Sequence, residues 1–145
     1  MAQHEAKVVW QEGLHFEAFA NDPFAEDHPI QLDAHPAVGG QGKGVSPAKM
    51  LLVGLAGCMG MDVMSVLSKK QQRVSSFEVR ARADRAADHP KVYTHLWVTF
   101  VITGQQIDPA AVARAVELSY TKYCPVANLL KPVVPVETEI QIIES

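Results

Sequence analysis

The stretch SPAKMLLVGLAGCMGMDVMSVL, residues 46–67, decides how this chain is read. Ser46 is suited to cap a helix and Pro47 to occupy its first position, and apolar residues then follow almost without interruption. The helix is expected to run to Lys69 or Lys70, where positive side chains suit the carbonyl end of the macrodipole. Its first half is apolar on every face, which predicts a helix enclosed by protein. Gly54, Gly57 and Gly60 each lower helix propensity by roughly 1 kcal/mol relative to Ala, so another helix or a ligand is expected to approach closely there. The unbroken apolar run, Met50 to Met61, is too short to span a bilayer. A buried core helix is expected, and no membrane partner.

Outward from this helix the periodicity changes from helical to alternating. Phe77, Val79, Ala81 and Ala83 alternate with charged residues, and Leu96, Val98, Phe100 and Ile102 repeat with the same period beyond Asp88-His89-Pro90, which predicts an antiparallel hairpin. Asp108 and Pro109 open a second helix, with Val112, Ala115, Val116 and Ser119 at helical spacing up to Tyr123. Cys124-Pro125 starts a short third helix, and Val136, Thr138, Ile140 and Ile142 mark a last strand. On the N-terminal side, Lys7 to Ala20 reads as a hairpin turning at Glu12-Gly13, and Ile30-Leu32 as a short strand. The prolines at 23, 29 and 36 and the glycines at 39, 40, 42 and 44 predict a long mobile loop before Ser46. The order predicts an α+β fold, an antiparallel sheet packed with a long central helix. One domain over residues 1–145 is expected, residues 1–45 forming its hairpin and loop and residues 46–145 its helix-containing core.

Composition removes several functions. With 48% hydrophobic and 20% charged residues, the 145-residue chain can bury its own core. A formal net charge of −3 and the lack of any basic block argue against nucleic acid. Two cysteines are too few for a secreted disulfide scaffold, so a reducing cytoplasmic setting is expected. The N-terminal residues carry no apolar run of signal-peptide length. No metal is expected, because no histidines pair at ligand spacing within a helix and neither cysteine has a Cys or His two residues away. Gly42-Lys43 is followed by Gly44, which is not a phosphate loop, and Ser65 lacks the surround of a hydrolase nucleophile.

The cysteines remain. A lone buried Cys is usually a small core hydrophobe, yet Cys58 lies among the helix glycines with Gly54 and Met61 about one turn either side, where a narrow cleft is plausible. Cys124 lies at an inferred helix start, whose unpaired N–H groups favour a thiolate and lower its pKa. Asp62 places a carboxylate one turn beyond Cys58 on the same face. If the second helix crosses the first near the glycines, the two sulfurs come within bridging distance.

These residues carry a resemblance. Ser46-Pro47, the Ala56-Gly57-Cys58 on the helix, THLWVTFVITG at 94–104 and AVARAVELSYTKYCPVANLL at 111–130 are similar to the OsmC/Ohr family and within it to the YhfA-like branch. The likeness is good over residues 46 to 143 and looser over the first 45. It implies an intertwined homodimer with the long helices packed at its centre. It also implies a thiol-dependent peroxidase acting on apolar organic hydroperoxides in oxidative-stress defence, with no bound cofactor and with a dithiol such as protein-bound dihydrolipoamide as reductant. Carried over residue by residue, Cys58 is the peroxidatic thiol and Cys124 the resolving thiol. The activating pair of the well-characterised peroxidase branches, an N-terminal Arg and a Glu just after the Pro, is missing: the first arginine is Arg73, and Ala48 and Lys49 follow Pro47. Lys43 or His35 from a second subunit are the candidate replacements. The alternative is a binding protein for a small apolar ligand with little peroxidase activity.

Overall fold

The computed structural model describes residues 3–21 and 24–145; Pro23 of the loop lies outside the described residues. Chain contacts divide it into two compact units, Met1–Leu51 and Leu52–Ser145. The division falls within the long helix, a few residues later than the junction expected at 45/46.

In the first unit, β1 (Lys7–Glu12), β2 (His15–Phe19) and β3 (Ile30–Leu32) form an antiparallel sheet in that order, with Gly13 at positive φ in the β1–β2 turn. The segment after β3 is built more tightly than a mobile loop. Asp33, only 3% exposed, accepts hydrogen bonds from the amides of Ala34 at 2.7 Å, Gln41 at 3.3 Å and Lys43 at 3.1 Å. Burial by itself raises a carboxyl pKa, but here the three amides outweigh it and hold Asp33 below its ordinary value. A Cβ on Gly40 would lie 1.9 Å from the Ala34 carbonyl oxygen, and one on Gly44 2.3 Å from that of Gln31. These two glycines serve close backbone packing around a buried carboxylate, which corrects the expectation of simple flexibility.

In the second unit, β4 (Arg73–Arg85) and β5 (Tyr93–Gln105) make the long antiparallel hairpin that the alternation predicts. The last strand, β6 (Val136–Glu144), lies on the other side of β5 and runs parallel to it, Leu96 opposite Val136 and Ile102 opposite Ile142. The expected all-antiparallel sheet is therefore corrected to a mixed one. The reason is the connection: a parallel neighbour needs a long crossover, and the helical segment between β5 and β6 supplies it. The α+β class holds. One sheet face presents Leu96, Val98, Phe100 and Ile102, all fully buried, to the helices.

Helix α1 (Pro47–Lys69) starts as Ser46 predicts, the Ser46 hydroxyl accepting from the Lys49 amide at 3.3 Å. Leu55, Met59, Val63 and Leu67, one turn apart, form its buried stripe in the same core. The expectation of a helix enclosed all round is corrected, because within the chain only this side is covered. Val53 and Met61 are 54% and 77% exposed. Gly60 does meet a close neighbour, a strand: a Cβ there would lie 3.1 Å from Val79 Cγ2. Gly54 and Gly57 face open space. At 23 residues α1 is long and apolar enough to cross a membrane by length and composition, so the twelve-residue run understated it; its stripe is used in the core.

Candidate active site

Asp108 caps α2 (Pro109–Leu118) by accepting from the Ala110 amide at 3.0 Å. Ala111, Val112, Ala115 and Val116 bury its inner face. The helix then widens into one π turn over Ser119–Tyr123, closed by the Cys124 amide donating to the Ser119 carbonyl at 2.9 Å. The Tyr120 carbonyl at this helix end is taken by side chains, Lys131 Nζ donating to it at 2.8 Å and Asn128 Nδ2 at 3.3 Å. Pro125 opens α3 (Pro125–Leu130), and Cys124 is its N-cap, the sulfur accepting from the Ala127 amide at 3.3 Å.

This local chain path brings α1 and the π turn together through polar groups. The Ser119 hydroxyl, fully buried, donates to Asp62 Oδ2 at 2.9 Å. Cys58 Sγ, Cys124 Sγ and a carboxylate oxygen of Asp62 all lie within 4.8 Å of one another. Both cysteines are free thiols, Cys58 half-buried and Cys124 with no exposed surface. The two predicted site residues are thus brought together. They meet beside Asp62 and Ser119, and the open glycines at 54 and 57 take no part.

One expectation about this site is reversed. The helix start at Cys124 does supply an N–H to the sulfur, which lowers the pKa, but burial first and then the hydrogen bond with Cys58 push the thiol up to about 11. Desolvation beats the helix end, because α3 is six residues long and the sulfur is wholly enclosed. The candidate cations are occupied within this chain: Lys43 pairs with Glu12 at 2.6 Å, holding that carboxyl below its ordinary value, and His35 Nδ1 accepts from the Ala37 amide at 3.0 Å. Among the described residues no Lys, Arg or His forms an ion pair with Asp62.

Two hollows lie along α1, and of the trio Asp62 lines the second. An apolar groove of about 510 Å³ is lined by Val53, Gly57, Gly60, Met61, Phe77 and Val79 among others. A more polar one of about 540 Å³ is lined by Asp62, Ser65, Lys69, Lys70 and Tyr123 among others. The pairing of Ser119 with Asp62 was not foreseen. Its signal was a carboxylate in an otherwise apolar helix and a hydroxyl at the apolar period of the second one, each of which needs a partner when buried.

The match to known proteins agrees with this architecture. Residues 40–139 match the family model described as OsmC-like protein. The chain is 37% identical over 139 residues to protein YhfA of Escherichia coli strain K12, covering 96% of this chain and 98% of that one. A crystal structure of a hypothetical protein from Aquifex aeolicus VF5 is similar over 100% of this chain and 99% of its own, at 26% identity and a TM-score of 0.84. An organic hydroperoxide resistance protein OsmC from Legionella pneumophila shares the fold, with a TM-score of 0.67 at 16% identity over 97% and 98% of the two chains. The fold and the match over residues 40–139 define an OsmC-type domain. The chain belongs to the OsmC-like protein family.

Proposed function

We propose that this protein reduces organic hydroperoxides with its two thiols. The observation that carries the reading is the approach of the Cys58 and Cys124 sulfurs, which leaves one thiol open and the other enclosed. A hydroperoxide reaches Cys58 and not Cys124. The Cys58 thiolate attacks the peroxide oxygen; the O–O bond breaks, an alcohol leaves after protonation, and Cys58 becomes a sulfenic acid. The Cys124 thiol, which keeps its proton until needed, then attacks that sulfur, and water leaves as the disulfide forms. The sulfurs must close from within 4.8 Å to about 2.0 Å for the disulfide to form. An external dithiol, such as a lipoyl-linked one, returns both to thiols by exchange.

The working unit in this reading is a cytoplasmic homodimer. Its support is the uncovered apolar face of α1, with Leu51, Val53 and Met61 exposed and no Cβ at Gly54 or Gly57 to hold a second helix away. Val8, Val9 and Trp10 of β1 are exposed likewise.

A second reading, an apolar-ligand binding protein of low peroxidase activity, is favoured by one observation: the trio holds a carboxylate and two thiols, and among the described residues no cation pairs with the carboxylate. Cumene hydroperoxide consumption separates the two. The proposal expects turnover with a dithiol that Cys58→Ser abolishes; wild-type rates in that variant, or native thiols silent to Ellman reagent until unfolding, speak for ligand binding.

A further inference from the structure

We infer that the reduced Cys58–Cys124 pair, together with the Asp62 carboxylate, is a binding site for a thiophilic divalent cation such as Zn²⁺. The inference shares two sulfur atoms with the proposed peroxidase but needs neither peroxide nor turnover.

The spacing comes first. Zinc bound tetrahedrally by sulfur at about 2.3 Å and carboxylate oxygen at about 2.1 Å sets its ligand atoms roughly 3.5–3.8 Å apart. The three atoms here already lie within 4.8 Å of one another, so a contraction of about an ångström completes three positions of the tetrahedron. Their elements suit the same ion. Two thiolates select a soft or borderline metal and exclude magnesium and calcium, while one carboxylate is an ordinary third ligand for zinc.

The surroundings supply what a bare trio lacks. Asp62 is oriented by the buried Ser119 hydroxyl, which donates to Oδ2 at 2.9 Å, the outer hydrogen bond that ligating carboxylates commonly have. Cys124 is fixed by the Ala127 amide, and an N–H bond to a ligating sulfur survives deprotonation. Cys58 is half-exposed, which provides the entry path and leaves a fourth position for water.

Charge makes the site unusual. Three groups that are anionic when deprotonated converge, and among the described residues no cationic side chain pairs with the carboxylate. A dication compensates all three at once, and its binding releases the protons of its thiol ligands. Disulfide formation consumes two of the three ligands, so ion and disulfide exclude each other.

The test is titration of reduced, metal-free wild-type protein with Co²⁺ and then Zn²⁺. We expect one cobalt per chain with thiolate-to-cobalt charge-transfer absorption, bleached by one equivalent of zinc. Diamide-oxidised wild-type protein, which needs no mutation, is expected to lose the absorption, as are Cys58→Ser and Cys124→Ser. Asp62→Asn is expected to weaken zinc roughly tenfold or more in competition with a chromophoric chelator. Absence of the charge-transfer band in the reduced protein, equal binding after oxidation, or zinc affinity unmoved in Asp62→Asn overturns the site. Mass spectrometry after hydroperoxide treatment reports the redox reading separately: zinc binding without a disulfide refutes only the peroxidase, and a disulfide without zinc binding refutes only the metal site.

Discussion

The sulfur of Cys124 lies within 4.8 Å of that of Cys58, yet of the two only Cys58 has access to solvent. One element each supplies them: the middle of α1 carries the open sulfur, and the end of the π turn after α2 carries the closed one. An asymmetric pair of this kind has a natural division of labour, attack at the open thiol and resolution at the closed one.

Asymmetry gives distinct outcomes for the two serine variants. Cys58→Ser is expected to leave Cys124 unreactive towards both hydroperoxide and Ellman reagent in the folded state. Cys124→Ser is expected to consume one equivalent of peroxide and then stop, with Cys58 advancing to sulfinic acid under excess oxidant. Intact-mass measurement reads both. Oxygen adducts on Cys124 in the first variant would reverse the assignment.

Ser119→Ala removes the one side-chain hydrogen bond that the Asp62 carboxylate accepts among the described residues. The half-buried carboxylate then lacks its donor, at an expected cost of about 1–3 kcal/mol in chemical denaturation. Ser119→Thr, which keeps the hydroxyl but adds a methyl to a fully buried site, tests whether the hydrogen bond or the volume matters. Unchanged stability in Ser119→Ala would show that the contact contributes nothing to the fold.

Among the described residues nothing lies within 4 Å of a Cβ built at Gly54 or Gly57, so in an isolated subunit Ala at either position stabilises the helix by roughly 1 kcal/mol. If a second copy packs on this face, a large side chain does the opposite to assembly. Gly57→Leu is expected to shift the protein from dimer to monomer in analytical ultracentrifugation. A dimer of undiminished affinity would place the subunit contact elsewhere.

Asp33 governs an acid-sensitive step in the first unit. Its carboxyl lies below the ordinary value of 3.8, so the stability it contributes is present above that value and is lost as pH falls through the lower folded one. Glu12, lowered by Lys43, acts in the same direction, though this exposed pair contributes little. Hydrogen exchange at the amides of Ala34, Gln41 and Lys43 is expected to quicken over that acid range, and to be fast at neutral pH in Asp33→Ala. Equal protection in the variant would show that the loop is held by other contacts.

Much of the fold was legible because local chemistry and periodicity agreed. Ser46-Pro47 and Asp108-Pro109 marked the helix starts, and the alternation of Leu96 to Ile102 marked both a strand and its buried face. The parallel pairing of β6 was not legible, since alternation reveals which residues share a face and nothing about strand direction. Asp33 was hidden among glycines: its three amide partners come from residues up to ten positions away, and only the folded loop brings them to one carboxylate. Of the site, Cys58 and Cys124 were visible as a pair through the family resemblance. The reactivity expected of Cys124 failed because a helix start is a local feature, whereas burial is decided by everything packed around the sulfur.

In the proposed reaction Cys58 and Cys124 act as one redox couple. Reduced wild-type protein treated with a single equivalent of cumene hydroperoxide, quenched with an alkylating agent and digested, tests it directly by mass spectrometry. An intramolecular Cys58–Cys124 linked peptide and the loss of two hydrogens from the intact chain are expected. Recovery of both cysteines as alkylated thiols, with the peroxide unconsumed, would contradict it.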